Sequence, residues 1–315
     1  MARNQNPKIK DVEGFWEKFK KSHLKEKSHF NGEPLVPNMV ESHIQGFGML
    51  TDSKGNEYGV ASHNNKGYSE GFMMYLSSKK AIKQYIPIEH FNHPGGIQIV
   101  GDYVFVAIEN SEHNESYIRL CDLRNLFENE EPTWIAKEDF SIHMPKHGAA
   151  AVAATRYRSK DGDKVLIVPS TPSTLYIYQA DAGTKLPVAE TESILLATQN
   201  VDSISADATG NIQNLNLVTQ ENENGEDTVY MFVYIAKKNG VSFSDSMELW
   251  KFNSDNNTFK KVGENFHMKT SGGGVAGIHF RYGAGLQIKD SNILFYATQR
   301  NFVGGKMDYD TFIKK

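Results

Sequence analysis

The chain carries one cysteine, Cys121, in 315 residues. That excludes an intramolecular disulfide framework and a multi-cysteine metal site, and a lone thiol of this kind is expected to be buried and inert. Long apolar runs are missing as well, and none approaches the roughly 18 residues of a membrane span. The N-terminus, Met1-Ala2-Arg3-Asn4-Gln5-Asn6, has no apolar stretch of the kind a secretory leader needs, so the expected location is the cytoplasm. There is little excess charge: 34 Lys and Arg against 38 Asp and Glu leave a formal net charge of −4. Neither nucleic acid nor an anionic membrane is therefore an expected partner. Several catalytic signatures are absent, including a Gly-x-Ser-x-Gly elbow and a His-Glu-x-x-His helix. Ser271-Gly-Gly-Gly-Val-Ala-Gly lacks the Gly-Lys-Ser/Thr of a phosphate loop and reads as a connection. Asp161-Gly-Asp163 lacks the rest of a calcium loop and reads as a turn.

What the chain does have is a large apolar and aromatic content, 39% hydrophobic with 18 Phe and 14 Tyr, enough for a substantial core. Residues 1–32 read as an N-terminal arm. Within it Val12, Phe15, Trp16 and Phe19 fall at helical spacing and predict a short amphipathic helix. Its apolar stripe is expected to pack on the domain's own outside. A partner- or membrane-binding arm edged by Lys18, Lys20 and Lys21 is the rival reading.

From residue 40 onward one pattern recurs. Its clearest copy runs from His93-Pro-Gly-Gly96-Ile-Gln-Ile through the Gly101-Asp102 turn to Tyr103-Val-Phe-Val-Ala-Ile-Glu109-Asn110. Two apolar runs joined by Gly and Asp are a hairpin signal. Related units open at His43, His147, Asn211 and Tyr282, and Gly285-Leu-Gln-Ile repeats Gly96-Ile-Gln-Ile almost letter for letter. Third and fourth strands follow in most units, with insertions near 181–209 and 237–246. The fifth unit ends before a fourth strand, and residues 33–40 are taken to supply it.

Units of this length with four antiparallel strands resemble the blades of a β-propeller. The resemblance is to a five-bladed β-propeller architecture over residues 33–315, all-β, with no specific family matched. The Trp-Asp pairs of WD40 repeats and the double glycines of kelch are absent.

In such a fold the residues that open each first strand and close each second strand converge on one mouth of the central channel. The openers are His43, His93, His147, Asn211 and Tyr282; the closers include His63, Glu109, Asn110 and Arg300. Three histidines at matched positions suit a divalent metal, with Zn, Fe, Mg and Ca not distinguishable, or acid–base work without one. The metal ligands would be His43, His93 and His147. The catalytic groups would be Glu109 as base, Tyr282 as acid or orienter, and His63. Asn211, Arg281, Arg300 and Asn110 would bind substrate. The function these residues point to is an enzyme of hydrolase or lyase type, acting at the mouth on a small polar, possibly anionic, molecule. The alternative is a non-catalytic propeller that binds a glycan, peptide or protein. Apart from the divalent metal no cofactor is expected, and the sequence carries no signal of oligomeric state.

Overall fold

The computed structural model describes residues 8–32, 42–52, 54–65, 71–77, 84–88, 91–110, 115–125, 132–144, 148–189, 192–223, 225–240, 242–271 and 277–315. They form a five-bladed β-propeller. A helix, α1 (Val12–Lys21), and a strand, β1 (His23–Asn31), precede the first blade. Blade I holds β2 (Ile44–Thr51), β3 (Glu57–His63), β4 (Gly71–Ser77) and β5 (Gln84–Ile88). Blade II holds β6 (His93–Val100), β7 (Tyr103–Asn110), β8 (Glu115–Asp122) and two short edge pieces, β9 (Thr133–Trp134) and β10 (Ile142–His143). Blade III is β11 (Ala151–Ser159), β12 (Gly162–Ser170), β13 (Thr174–Asp181) and β14 (Ile194–Asn200). Blade IV is β15 (Ile212–Gln220), β16 (Thr228–Asn239), β17 (Ser242–Asn253) and β18 (Thr258–Met268). Blade V supplies β19 (Ile278–Lys289), β20 (Asn292–Gln299) and β21 (Lys306–Lys314), and β1 completes it in the order β1-β21-β20-β19.

The ring is thus closed by an N-terminal strand, nine residues paired antiparallel from His23↔Lys314 to Asn31↔Lys306. This closing strand is His23–Asn31 and lies upstream of the segment 33–40 expected to supply it; residues 33–40 fall outside the described residues. The run His23-Leu-Lys-Glu-Lys-Ser-His-Phe alternates too weakly to read as a strand, because a single side chain, Phe30, is buried along it. Backbone pairing, not side-chain burial, holds this edge. Two other boundaries differ from expectation. The outer strand of blade II is split, since residues 135–141 leave the edge and bring Phe140 against Phe105 at 5.5 Å. Residues 237–240 and 242–246, expected in an insertion, lie at the tip ends of two long paired strands, β16 and β17, of 12 residues each.

Helix α1 is capped by Asp11, whose Oδ1 accepts from Gly14 N at 2.8 Å. It buries Val12, Phe15, Trp16 and Phe19. Trp16 meets Phe232 and Phe266 of blade IV edge-on, and Phe19 meets Phe295 of blade V. The helix is therefore a wedge between blades IV and V, and its apolar stripe lies inside the protein. Ile9 extends the anchorage by donating its N–H to Thr219 O at 2.9 Å.

The repeated Gly-x-Gln-Ile motif has a packing cause. Inner strands approach most closely at the axis, and a Cβ placed on Gly285 would lie 1.8 Å from Phe47 O of blade I. A Cβ on Gly96 would lie 2.1 Å from Asn214 Oδ1. The glutamine of the motif stitches the axis: Gln98 Oε1 accepts from Leu217 N at 2.8 Å and from Asn216 Nδ2 at 3.1 Å. Gly285→Ala must push apart two backbones, so it is expected to reach or exceed the upper end of the about 1–3 kcal/mol typical of overpacking. A urea midpoint unchanged by this substitution would contradict the packing described.

Candidate functional site

Four of the five inner strands carry a register shift near the mouth, between Ile44 and Gly46, Pro94 and Ile97, Ile212 and Asn214, and His279 and Ala284, while β11 pairs with β12 in unbroken register. Bulges of this kind re-aim side chains at strand ends. The widest is in blade V. There β19 opens at Ile278, so Tyr282 sits inside the bulge rather than at the strand's start, and the residue beside the opening is His279.

At the mouth end of blade II, His93 and Glu109 face each other across β6 and β7 as the hairpin reading requires. His93 Nδ1 and Glu109 Oε1 form a short hydrogen bond. On the other side of the ring, Gln45 Nε2 of blade I lies 2.8 Å from His93 Nε2. With the amide so placed, Gln45 donates to Nε2, and Nδ1–H donates to the carboxylate. Glu109 Oε2 is buried and has no partner. The backbone of Gly148 lies beside it, close enough that a Cβ there would be 3.8 Å from Oε2. His93 remains 38% exposed at its side chain and Glu109 14%, so the pair opens to solvent from the imidazole side.

His43 sits nearby. Its backbone N–H donates to Asn64 Oδ1 and its carbonyl accepts from Asn64 N. Burial, then the positive charges of Arg300 and Arg281, push its pKa down to about 3. Its Nδ1 is buried and without a partner. The ring packs edge-on to Tyr282 at 6.0 Å, and Tyr282 in turn lies under Arg300 at 5.6 Å. Arg281 is exposed and lies over Phe243 at 5.1 Å. The mouth wall on the side of blade V is thus aromatic and cationic, next to a neutral imidazole.

Other expected site residues have structural occupations. His63 is fully buried, stacked on Phe72, with ring nitrogens beside Asn64 O and Asn301 Oδ1. Burial outweighs those two acceptors and pushes its pKa down to about 4. With both nitrogens engaged inside the junction of blades I and V, it is not placed to exchange protons with a substrate. Asn211 caps its own turn, donating to Asp207 O and Thr209 O. Asn110 is buried at the end of β7, opposite Glu115.

The three-histidine metal set does not assemble from the described residues. His147 lies outside them, both ring nitrogens of His93 are taken, and no group of three His, Cys, Asp or Glu that could hold a metal ion is present among the described residues. Cys121 meets the expectation of an inert thiol: it is buried against Tyr75 OH at 3.1 Å, and burial pushes its pKa up to about 12. No helix among the described residues is long and apolar enough to cross a membrane.

Two residues escaped the sequence reading. Asp245 of β17 accepts from His279 Nδ1 at 2.8 Å, from Thr270 Oγ1 at 2.7 Å and from Phe280 N at 3.2 Å. The signal was an aspartate inside a strand, where an unpaired carboxylate is rarely buried. Gln45, the second missed residue, carries no signal of its own, because its role depends on a neighbouring blade.

The two depressed histidines predict acid sensitivity. Unfolded, each would take up a proton near pH 6.5; folded, His63 does so only near pH 4 and His43 near pH 3. The unfolded chain therefore binds more protons below pH 6.5. Stability is full above that pH and falls as pH drops through the window, at up to about 1.4 kcal/mol per pH unit for each histidine. Urea midpoints measured from pH 7 to pH 4.5 should fall, and His63→Gln should flatten the slope; an equal slope in the variant would remove His63 as its source.

No protein-family profile and no curated protein matches the chain by sequence. Solved structures match by fold. A β-fructofuranosidase from Schwanniomyces occidentalis, complexed with fructosyl-erythritol, aligns with a TM-score of 0.52 at 10% identity, covering 89% of this chain and 58% of that one. A Bombyx mori GH32 β-fructofuranosidase aligns at 0.51 and 9% identity, over 90% of this chain and 61% of that one. The catalytic domain of a Coprinopsis cinerea GH62 α-L-arabinofuranosidase aligns at 0.50 and 9% identity, over 90% and 97%. The chain therefore spans about three fifths of the two fructofuranosidases and nearly all of the arabinofuranosidase domain. At such identity the likeness is one of fold.

Proposed function

We propose that the protein is a hydrolase that cleaves a glycosidic bond in a carbohydrate held at the channel mouth. The observation that carries this reading is the Gln45–His93–Glu109 chain, which leaves one carboxylate oxygen buried and unpartnered beside an exposed imidazole. The fold neighbours named as a fructofuranosidase and an arabinofuranosidase support a hydrolase of sugars. A carbohydrate takes the place of the small polar, possibly anionic, molecule expected at the mouth; the guanidiniums of Arg281 and Arg300 lie over the rings of Phe243 and Tyr282.

Most glycosidases flank the scissile bond with two carboxylates. Among the residues that open the inner strands and close the second strands, Glu109 is the one carboxylate, so a single carboxylate–imidazole pair handles the proton here. Water adds to the anomeric carbon, the bond from that carbon to the leaving oxygen breaks, and the water's proton passes through Glu109 to the leaving oxygen. His93, held by Gln45, keeps the carboxylate oriented. Tyr282, itself buried, backs the mouth beneath Arg300 and against the His43 ring.

A non-catalytic glycan-binding propeller is the second reading, and the lone carboxylate is what favours it. The two separate on a panel of aryl glycosides and neutral polysaccharides. Release of aglycone or reducing ends, lost on Glu109→Gln, supports the hydrolase. Saturable binding without any release by the parent protein would replace it with the binding module.

A further inference from the structure

We propose that a groove between blades III and IV, on the face opposite the mouth, is a second carbohydrate site that takes a neutral oligosaccharide strand. Its position follows from the topology. The β11–β12 turn, the β15–β16 connection and the β17–β18 turn all lie at the strand ends remote from the mouth, and residues of all three line the groove. Its volume is about 1060 Å³. That is at the upper end of small-molecule sites and leaves room for several sugar rings.

The lining decides the ligand class. Five cationic and five anionic side chains share it with amides and hydroxyls from Gln179, Asn222, Asn253, Asn256 and Thr258. Balanced charge gives a polyanion or a polycation no net attraction. An apolar ligand would strip water from these groups without replacing their hydrogen bonds. A neutral polyhydroxylated chain satisfies donors and acceptors of both kinds. Two groups wait for such partners. Tyr157 accepts from Gln179 Nε2, which leaves its own hydroxyl hydrogen to donate outward. Asp227, 1% exposed at its side chain, accepts through Oδ2 from Arg158 N and Lys8 Nζ, both at 2.7 Å, while its Oδ1 is buried with no partner. It is the one side chain of the lining that has such an orphaned atom. A ligand hydroxyl is the donor that atom lacks. The role of the groove, to hold a long substrate while the mouth acts on it, rests on the hydrolase reading; its binding of sugar does not.

The test is calorimetric titration of the Glu109→Gln protein with xylohexaose, arabinohexaose, mannohexaose and maltohexaose, with hexagalacturonate as the anionic control. Ser254→Trp fills the groove from an exposed turn, and Asp227→Asn keeps its shape while changing the acceptor. At least one neutral hexasaccharide should bind, and each substitution should weaken it tenfold or more with the urea midpoint of the Ser254→Trp protein unchanged. Turnover of a short aryl glycoside by the Ser254→Trp form of the parent protein should stay as it was. Binding that survives both substitutions, binding of hexagalacturonate alone, or no binding by any neutral hexasaccharide overturns the proposal. Loss of turnover in every form with groove binding intact would remove the hydrolase and leave this site standing.

Discussion

Trp16→Ala is expected to lower the stability of the folded chain by about 3–5 kcal/mol. Trp16 is fully buried and belongs to the core cluster shared by α1, blade IV and blade V. Its ring touches Phe232 and Phe266 edge-on and stacks against Phe19 at 5.9 Å. Truncation empties a ring-sized space at the junction of blades IV and V, which the N-terminal segment bridges from Ile9 on blade IV to β1 on blade V. The neighbours cannot collapse into it freely, because β1 holds blade V through nine paired residues and Ile9 holds the arm to blade IV. The indole N–H has no partner, so Trp16→Phe loses volume but no hydrogen bond and should cost much less. Exchange of Lys18 or Lys21 for Ala, on the opposite face of α1, should leave the urea midpoint nearly where it was. A Trp16→Ala loss below about 1 kcal/mol would mean that α1 lies on the ring without sealing it.

The propeller was legible because its repeat has a steric cause that shows in the residue types. Gly96 and Gly285 recur where inner strands nearly touch, and glutamine follows two residues later to stitch the axis. The turns were legible for the same reason: Asp290 and Ser291 both take positive φ between β19 and β20, the geometry of a two-residue hairpin, where a short polar pair is expected. The closing strand was not legible. His23–Asn31 earns its place by hydrogen bonds along its whole length, with Phe30 as the single buried side chain, and periodicity reports burial rather than pairing.

The site was legible to the extent that it lies within one hairpin. His93 and Glu109 follow from the register of β6 on β7. What joins blades does not follow from any one unit. Gln45 reaches His93 from blade I, and Asp245 reaches His279 from blade IV to blade V. His63 shows the converse: the register pairs it with Ile44 as Ile108 pairs with Pro94, so it falls one residue short of the position Glu109 holds and its ring turns into the junction with Asn301 and Phe72.

Glu109→Gln is expected to reduce kcat by about 10²–10⁴-fold, the usual worth of a positioned proton-transfer group. The substitution keeps the size of the side chain, and the amide oxygen can still accept from His93 Nδ1–H. What changes is the other atom: the unpartnered Oε2, able to accept a proton, becomes an NH2 that cannot. KM should move little, because the lost interaction forms as the proton is transferred rather than when the sugar binds. His93→Ala acts through orientation. It strips Oε1 of its donor and frees Gln45, so the carboxylate keeps its charge but loses its fixed direction. Its kcat loss should be the smaller of the two. Glu109→Ala supplies the sharper test, since it leaves a space of carboxylate size beside Gly148. Added formate should restore part of the turnover there and none in the Glu109→Gln protein, where the amide fills the space. A Glu109→Gln enzyme that keeps turnover within about threefold of the parent would take the proton away from Glu109, since a positioned base is worth at least a hundredfold. Formate rescue absent from a Glu109→Ala protein with a parental urea midpoint would say the same.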